Sequence, residues 1–152
     1  MDRSLGEIQL ACFNLGDKLF AVDIMRIKEI LLPQKMSPLP KASDLLDGVI
    51  NLRGNVIPVM NMRKRFQMPA PDGDKPGKLV IVSLARQLLG LLVDDVMEVI
   101  TVLSGEIKPP IQMVIGVGME FLLGVCLSEG RVFMILDIDS LLGSKTFREL
   151  GN

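Results

Sequence analysis

The chain has 152 residues, 49% of them apolar, and carries 17 Lys/Arg against 18 Asp/Glu for a net charge of −1. That length suits one compact domain or two very small ones with a real core, and the balanced charge argues against nucleic-acid binding, which shows as a basic surplus. The absence of histidine removes Ser-His-Asp and Cys-His catalysis, His metal sites and phosphohistidine chemistry together.

At the start, Asp2, Arg3 and Glu7 occupy the place where a signal peptide needs an apolar core. Ile8 to Leu15 and Lys18 to Asp23 read as strands joined at Gly16-Asp17. Val49 to Arg53 and Asn55 to Met62 follow, joined at Gly54-Asn55, which reads as a type II′ turn with glycine first. Alternation then puts Val49, Asn51 and Arg53 on one face, with Ile50 and Leu52 on the other. Pro58 cannot donate to a central ladder, so its strand has an edge or a bulge there. Arg63 to Gln67 reads as one helical turn, and its basic run Arg63-Lys64-Arg65 as a solvated face or a contact for an acidic partner. Met68 to Gly77, with three prolines and two glycines, is a loop.

Leu79 to Leu84, Leu89 to Val93, Gly124 to Leu127 and Val132 to Asp137 read as four more strands, the last two joined at Glu129-Gly130. Asp139 to Leu142 reads as a second helical turn with an aspartate near its start as the cap. The longest apolar runs, such as Phe121 to Leu127, fall far short of the roughly 20 residues a helix needs to cross a bilayer. Cys12 and Cys126 lie in apolar strand-like runs with no paired-cysteine spacing, so they read as buried thiols in a reducing compartment. The six aromatics are all Phe, which leaves Leu, Ile, Val and ten Met to fill the interior; Met also suits adaptable binding surfaces. Many short strands with frequent turns point to a barrel or sandwich.

The mid-chain loop invites a search for a repeat. GVINLRGNVIPVMNMRKRF (48–66) superimposes without a gap on GVCLSEGRVFMILDIDSLL (124–142), an offset of 76. Gly48/Gly124, Val49/Val125, Gly54/Gly130 and Val56/Val132 are identical. Upstream, FAVDIMRIKEI (20–30) echoes LLVDDVMEVI (91–100), and PLP (38–40) and PP (109–110) follow. The simplest account is two similar β-units in tandem, of about 75 residues each and therefore marginal alone, sharing apolar surface with a groove between them. The second unit has Leu127 and Glu129 where the first has Asn51 and Arg53. The architecture alone thus does not require Asn51 and Arg53, which points to a contact between units or with a partner.

Other chemistry is sparse. Asp137 and Asp139, two apart, point to one face of a strand and allow a metal or acid/base pair; capping explains them as well. Asp94 and Asp95 are neighbours on a strand and face opposite ways. GVGM (116–119) lacks the third glycine of a dinucleotide fingerprint. No metal or cofactor site is expected.

The quoted runs, with GLLVDDVMEVI (90–100) and IKPP (107–110), resemble the CheW family of bacterial chemotaxis coupling proteins from about Gln9 to Leu142, above all in the Asn-Leu-Arg-Gly core at 51–54. The resemblance implies a mainly β fold: two tandem SH3-like five-stranded β-barrel subdomains around a shared apolar core, with short helical turns. The first unit is expected at about 15–72 and the second at about 77–143, with the N-terminal strand and C-terminal tail packing across. It implies a non-catalytic, cytoplasmic adaptor in membrane receptor arrays, joining chemoreceptor hairpin tips to the histidine kinase CheA, with no cofactor, no nucleic acid and no membrane insertion. Its receptor-contact positions match Ile27, Glu29, Gly48, Asn51, Arg53 and Gly54. Its kinase contact matches the strand of Leu79, Val80 and Val82. Asn61 departs from the family's usual Asp, and Glu120-Phe121 lacks the Tyr often found there, which leaves a related, non-flagellar pathway open. A carboxylate enzyme and a small-ligand barrel are the readings from other classes.

Overall fold

The computed structural model describes residues 6–38, 46–110 and 118–142. Ten strands form there: β1 (Glu7–Leu15), β2 (Lys18–Asp23), β3 (Ile27–Leu31), β4 (Leu46–Leu52), β5 (Asn55–Asn61), β6 (Lys78–Ser83), β7 (Leu88–Val93), β8 (Asp95–Leu103), β9 (Leu122–Ser128) and β10 (Arg131–Leu136). One helical turn, α1 (Met62–Arg65), follows β5, and a 3-10 turn, Ile138–Ser140, follows β10. Two of these strands, β3 and β8, are not among those the sequence pattern predicts. Both are sheet edges with half-exposed, charge-bearing patterns, so neither shows the apolar alternation that marks a strand. Of the Pro-rich piece 38–40 only Pro38 lies among the described residues, and Gly116 and Val117 of the GVGM run lie outside them.

The strands form two five-stranded sheets, ordered β8-β1-β2-β10-β9 and β3-β6-β7-β5-β4. Position by position these are the same sheet. β1–β2 and β6–β7 are antiparallel hairpins, and β2 pairs parallel with β10 as β7 does with β5. The duplication is therefore real, but the expected division at 72–77 is not where the sheets divide. Each sheet takes a hairpin from one repeat and three strands from the other: β1–β2 join β8–β10, and β6–β7 join β3–β5.

Alternation explains the three cores. Ile50, Ile57, Val59, Leu79 and Ile81 fill the inside of one curled sheet. Leu10, Cys12, Ala21, Val102, Cys126, Phe133 and Ile135 fill the other. The opposite faces of the same central strands meet between the sheets, where Phe20, Val22, Met134 and Leu136 pack on Met60, Val80, Val82 and Leu91. Central strands buried on both faces read as continuous apolar runs, as β6 (KLVIVS) and β10 (RVFMIL) do. A ladder of rings crosses this shared core: Phe13–Phe20, Phe20–Phe66 and Phe66–Phe121 lie 5.5, 4.8 and 5.9 Å apart. Most of the buried side chains are Leu, Ile, Val and Met, as the composition requires. Both thiols are buried and unlinked, and burial pushes Cys12 up to about 12.

Pro58 stands one residue before the β5–β7 ladder, which opens at Val59, whereas its counterpart Met134 opens the β10–β2 ladder against Phe20. The missing N–H thus moves the start of that ladder one residue along, and the ladder continues through Asn61 where its counterpart ends at Ile135.

Candidate interaction site at a barrel seam

β3 and β4 are the two edges of one sheet, yet Arg53, just beyond β4, donates from both terminal nitrogens to the Glu29 carboxylate on β3, one contact at 3.3 Å. The sheet is therefore curled until its edges meet. Ser37 and Val49 add two backbone hydrogen bonds of 2.8 Å along the β4 side. The second sheet closes the same way: Arg131 on β10 reaches Glu98 on edge strand β8 at 2.6 Å, and Lys108 and Val125 exchange two 2.8 Å bonds. An Arg–Glu pair across the seam is thus a feature of both units. The 76-residue offset does not show this likeness, because the second arginine sits two places further along than Arg53's counterpart, Glu129.

The turn differs from the type II′ expectation. Leu52 pairs with Asn55, so the two central residues are Arg53 and Gly54. Both have positive φ, +50° and +87°, the pattern of a type I′ turn. Arg53 is therefore on the tip and not at the end of the strand, and its face is not fixed by alternation with Asn51. Asn51 Oδ1 accepts the Gly54 N–H at 3.0 Å, a local bond that suits a tight turn. Asn51 thus has a folding role that the comparison with Leu127 had denied it.

The six receptor-contact candidates separate by exposure. Arg53 is 68% exposed and Glu29 31%, and Asn51 and Gly54 are exposed beside them. The ion pair holds the Glu29 carboxyl below its usual range and the Arg53 guanidinium above its own. Ile27 is half-buried against the shared core. Gly48 is buried, and a Cβ there would come within 2.5 Å of Ser37 O. Its place is explained by close backbone approach, so its contribution to a contact is indirect. The kinase-contact candidates fare differently. Leu79, Val80 and Val82 are 0%, 2% and 0% exposed, on a strand paired on both sides. They have no surface to offer a partner, and β6 lies in the same sheet as Glu29 and Arg53.

The basic run is not a bare solvated face. Arg63 pairs with Asp94, Lys64 Nζ reaches Asp47 at 2.9 Å, and the Arg65 guanidinium lies 3.8 Å over the Phe121 ring. Asp139 pairs with Arg26 at 2.6 Å, while Asp137 sits at the cap position without a side-chain capping bond. The two aspartates therefore form neither the expected cap nor an acid pair. Among the described residues no group of three or more Cys, Asp or Glu side chains is arranged to hold a metal, and no helix is long and apolar enough to cross a membrane. An open cleft of about 630 Å³ mixes apolar walls, Leu19, Leu92 and Met97, with the charged groups Asp17, Arg63, Lys75, Asp94 and Asp95, and is not the closed Met- and Leu-lined groove a small-ligand barrel would want.

Fold and site together define a class: a mainly β protein of two duplicated five-stranded barrels whose interiors are filled by side chains and whose distinctive polar groups lie on an exterior seam. The model of the CheW-like domain matches residues 9–146. "Chemotaxis protein CheW" of Treponema pallidum (strain Nichols) is 35% identical over 150 residues, covering 96% of this chain and 88% of that protein. That of Rhizobium meliloti (strain 1021) is 32% identical over 140 residues, covering 92% and 90%. The crystal structure of the scaffolding protein TtCheW from Thermoanaerobacter tengcongensis superimposes with a TM-score of 0.84 at 28% identity, covering 93% of this chain and 96% of that one. The chain belongs to the CheW family.

Proposed function

We propose that the chain is a non-catalytic chemotaxis adaptor that joins the cytoplasmic tips of chemoreceptors to the histidine kinase CheA, working at membrane receptor arrays. The observation that carries this reading is the Arg53 guanidinium, two-thirds exposed on a hairpin tip and oriented by Glu29, a charge that serves neither barrel interior nor the shared core. A receptor tip meets Glu29, Asn51 and Arg53 directly, while Gly48, Gly54 and Ile27 shape the backbone beneath them. Family membership supports the scaffold role.

The test is capture of receptor cytoplasmic fragments and CheA by this chain. Arg53→Glu is expected to abolish capture while costing under about 1 kcal/mol of folding stability, because exposed ion pairs contribute little. Glu29→Arg combined with Arg53→Glu restores the seam pair with reversed polarity and is expected to stay inactive. Recovery of capture in that double variant would mean that the pair closes the barrel and the partner does not read Arg53.

A further inference from the structure

Only two of the ion pairs among the described residues join the two repeats, and both sit where the chain crosses between sheets. Arg26 ends the three-residue turn between β2 and β3. It donates to both Asp139 oxygens, at 2.6 and 3.2 Å, and twice to Ser83 O, at 2.8 and 3.0 Å. Asp94 is the single residue between β7 and β8. It accepts from Arg63 Nε at 2.9 Å and from Gly16 N at 2.7 Å. Arg63 and Asp139 are counterparts across the 76-residue offset, so the two pairs have opposite polarity. The first repeat supplies both cations and the second both anions.

The links themselves forbid a repeat from closing alone. In a self-closed unit β3 would take the place of β8, beyond β1 and parallel to β2. The chain would have to run back about 20 Å, the length of a six-residue strand, but three residues span roughly 10 Å. Each repeat must therefore pair with another, and a like repeat of a second copy offers the same strands. Pairing like with like would set Asp94 against Asp139, with Asp95 and Asp137 close by; among the described residues Lys78, 3.4 Å from Asp95, and Lys75 offset them in part. In the first repeat it would set Arg26 against Arg63, with Asp23 already accepting the Met25 N–H at 2.9 Å. The charge balance of the halves runs the same way: residues 1–76 hold 11 Lys/Arg and 9 Asp/Glu, and residues 77–152 hold 6 and 9.

We propose that the two crossover ion pairs form a selection code that makes a first repeat accept only a second repeat, and so keeps copies of this chain from pairing like with like while they fold. Reversing one pair, Arg26→Asp with Asp139→Arg, keeps both native contacts attractive but gives each repeat one charge of each sign, so like pairing becomes attractive too. Reversing both, by adding Arg63→Asp and Asp94→Arg, restores the segregation. The full chains are unfolded in urea and refolded by dilution at increasing protein concentration, and recovery of the species present before unfolding is read by size-exclusion chromatography with light scattering. The half-reversed chain is expected to lose recovery to larger species as concentration rises, and the fully reversed chain to recover better than the half-reversed one at every concentration, although it also gives up the bonds to Ser83 O and Gly16 N. Equal recovery of the two variants at every concentration overturns the proposal. Should the reversed chains not fold, Asp94→Asn with Asp139→Asn lifts the repulsion without placing a new charge. A concentration-dependent loss no greater than that of an equally destabilised core variant, such as Ile50→Val, then overturns it.

Discussion

Arg53 and Glu129, 76 positions apart, occupy the same place in two copies of one hairpin, and both hold φ at +50°. Left-handed backbone costs an ordinary side chain roughly 1–2 kcal/mol, and Asn less, because its short side chain bonds locally. Asn-Gly is also the pairing a type I′ turn favours. Glu129→Asn is therefore expected to stabilise the chain by about 0.5–1 kcal/mol, read as a higher urea midpoint. Arg53→Asn gains the same relief but loses the bond to Glu29, and the two nearly cancel. A large loss on Arg53→Asn would show that the Glu29 pair holds the seam closed.

Gly48 and Gly124 are the second matched pair. A Cβ on either would lie 2.5 Å from a backbone oxygen, that of Ser37 or of Lys108, on the segment that bridges the edge strand. Gly48 also sits at a φ of +150°. Gly48→Ala and Gly124→Ala are each expected to cost about 2 kcal/mol or more, with Gly48 the costlier because strain adds to the clash. If Gly48 were a contact residue only, Gly48→Ala would weaken receptor capture and leave the unfolding midpoint where it is.

The matched glycines and the apolar runs made the duplication legible before any coordinates, because a close backbone approach and a doubly buried strand each leave a mark at fixed spacing. What stayed hidden was which hairpin joins which sheet. The exchange depends on the lengths of two links, Ile24–Arg26 and Asp94, and neither carries a periodic signal. The site was half legible. Arg53 and Glu29 could be named from the resemblance, but their pairing could not, since β3 was not recognised as a strand. Leu79, Val80 and Val82 match the kinase contact through the resemblance alone, and a single apolar run does not reveal that its strand has neighbours on both sides.

Asn51 separates turn geometry from recognition. Its Oδ1 accepts the Gly54 N–H, so Asn51→Ala is expected to cost about 0.5–1.5 kcal/mol, while Asn51→Asp keeps the acceptor and most of the stability. Thermal unfolding of the two variants, set beside receptor capture, resolves the roles. Capture retained by Asn51→Asp and lost by Asn51→Ala assigns Asn51 to holding the tip. Capture lost by both assigns its amide N–H to the partner.

Stability should change with pH at both ends of the scale and hold level between them. Asp94 and Asp139 have their carboxyls pulled down by hydrogen bonds from Arg63 and Arg26, and Glu29 by Arg53. A depressed folded pKa means that the native state binds fewer protons than the unfolded chain, so this stability is present above the unfolded values of about 4 and is lost as pH falls through the folded ones. At the other end, burial raises the Cys12 thiol to about 12 and raises Cys126 as well. A raised folded pKa gives stability that is present below the unfolded thiol value and lost as pH rises toward the folded one. With no histidine in the chain, no side chain of that type titrates between pH 5 and 8. Urea midpoints are thus expected to hold level from about pH 5 to 8, then fall below about pH 4 and again above about pH 9. In Cys12→Ala with Cys126→Ala the alkaline fall should shrink, while the acid limb stays. An acid limb unchanged in Asp94→Asn and Asp139→Asn would mean that the crossover pairs contribute no pH-linked stability.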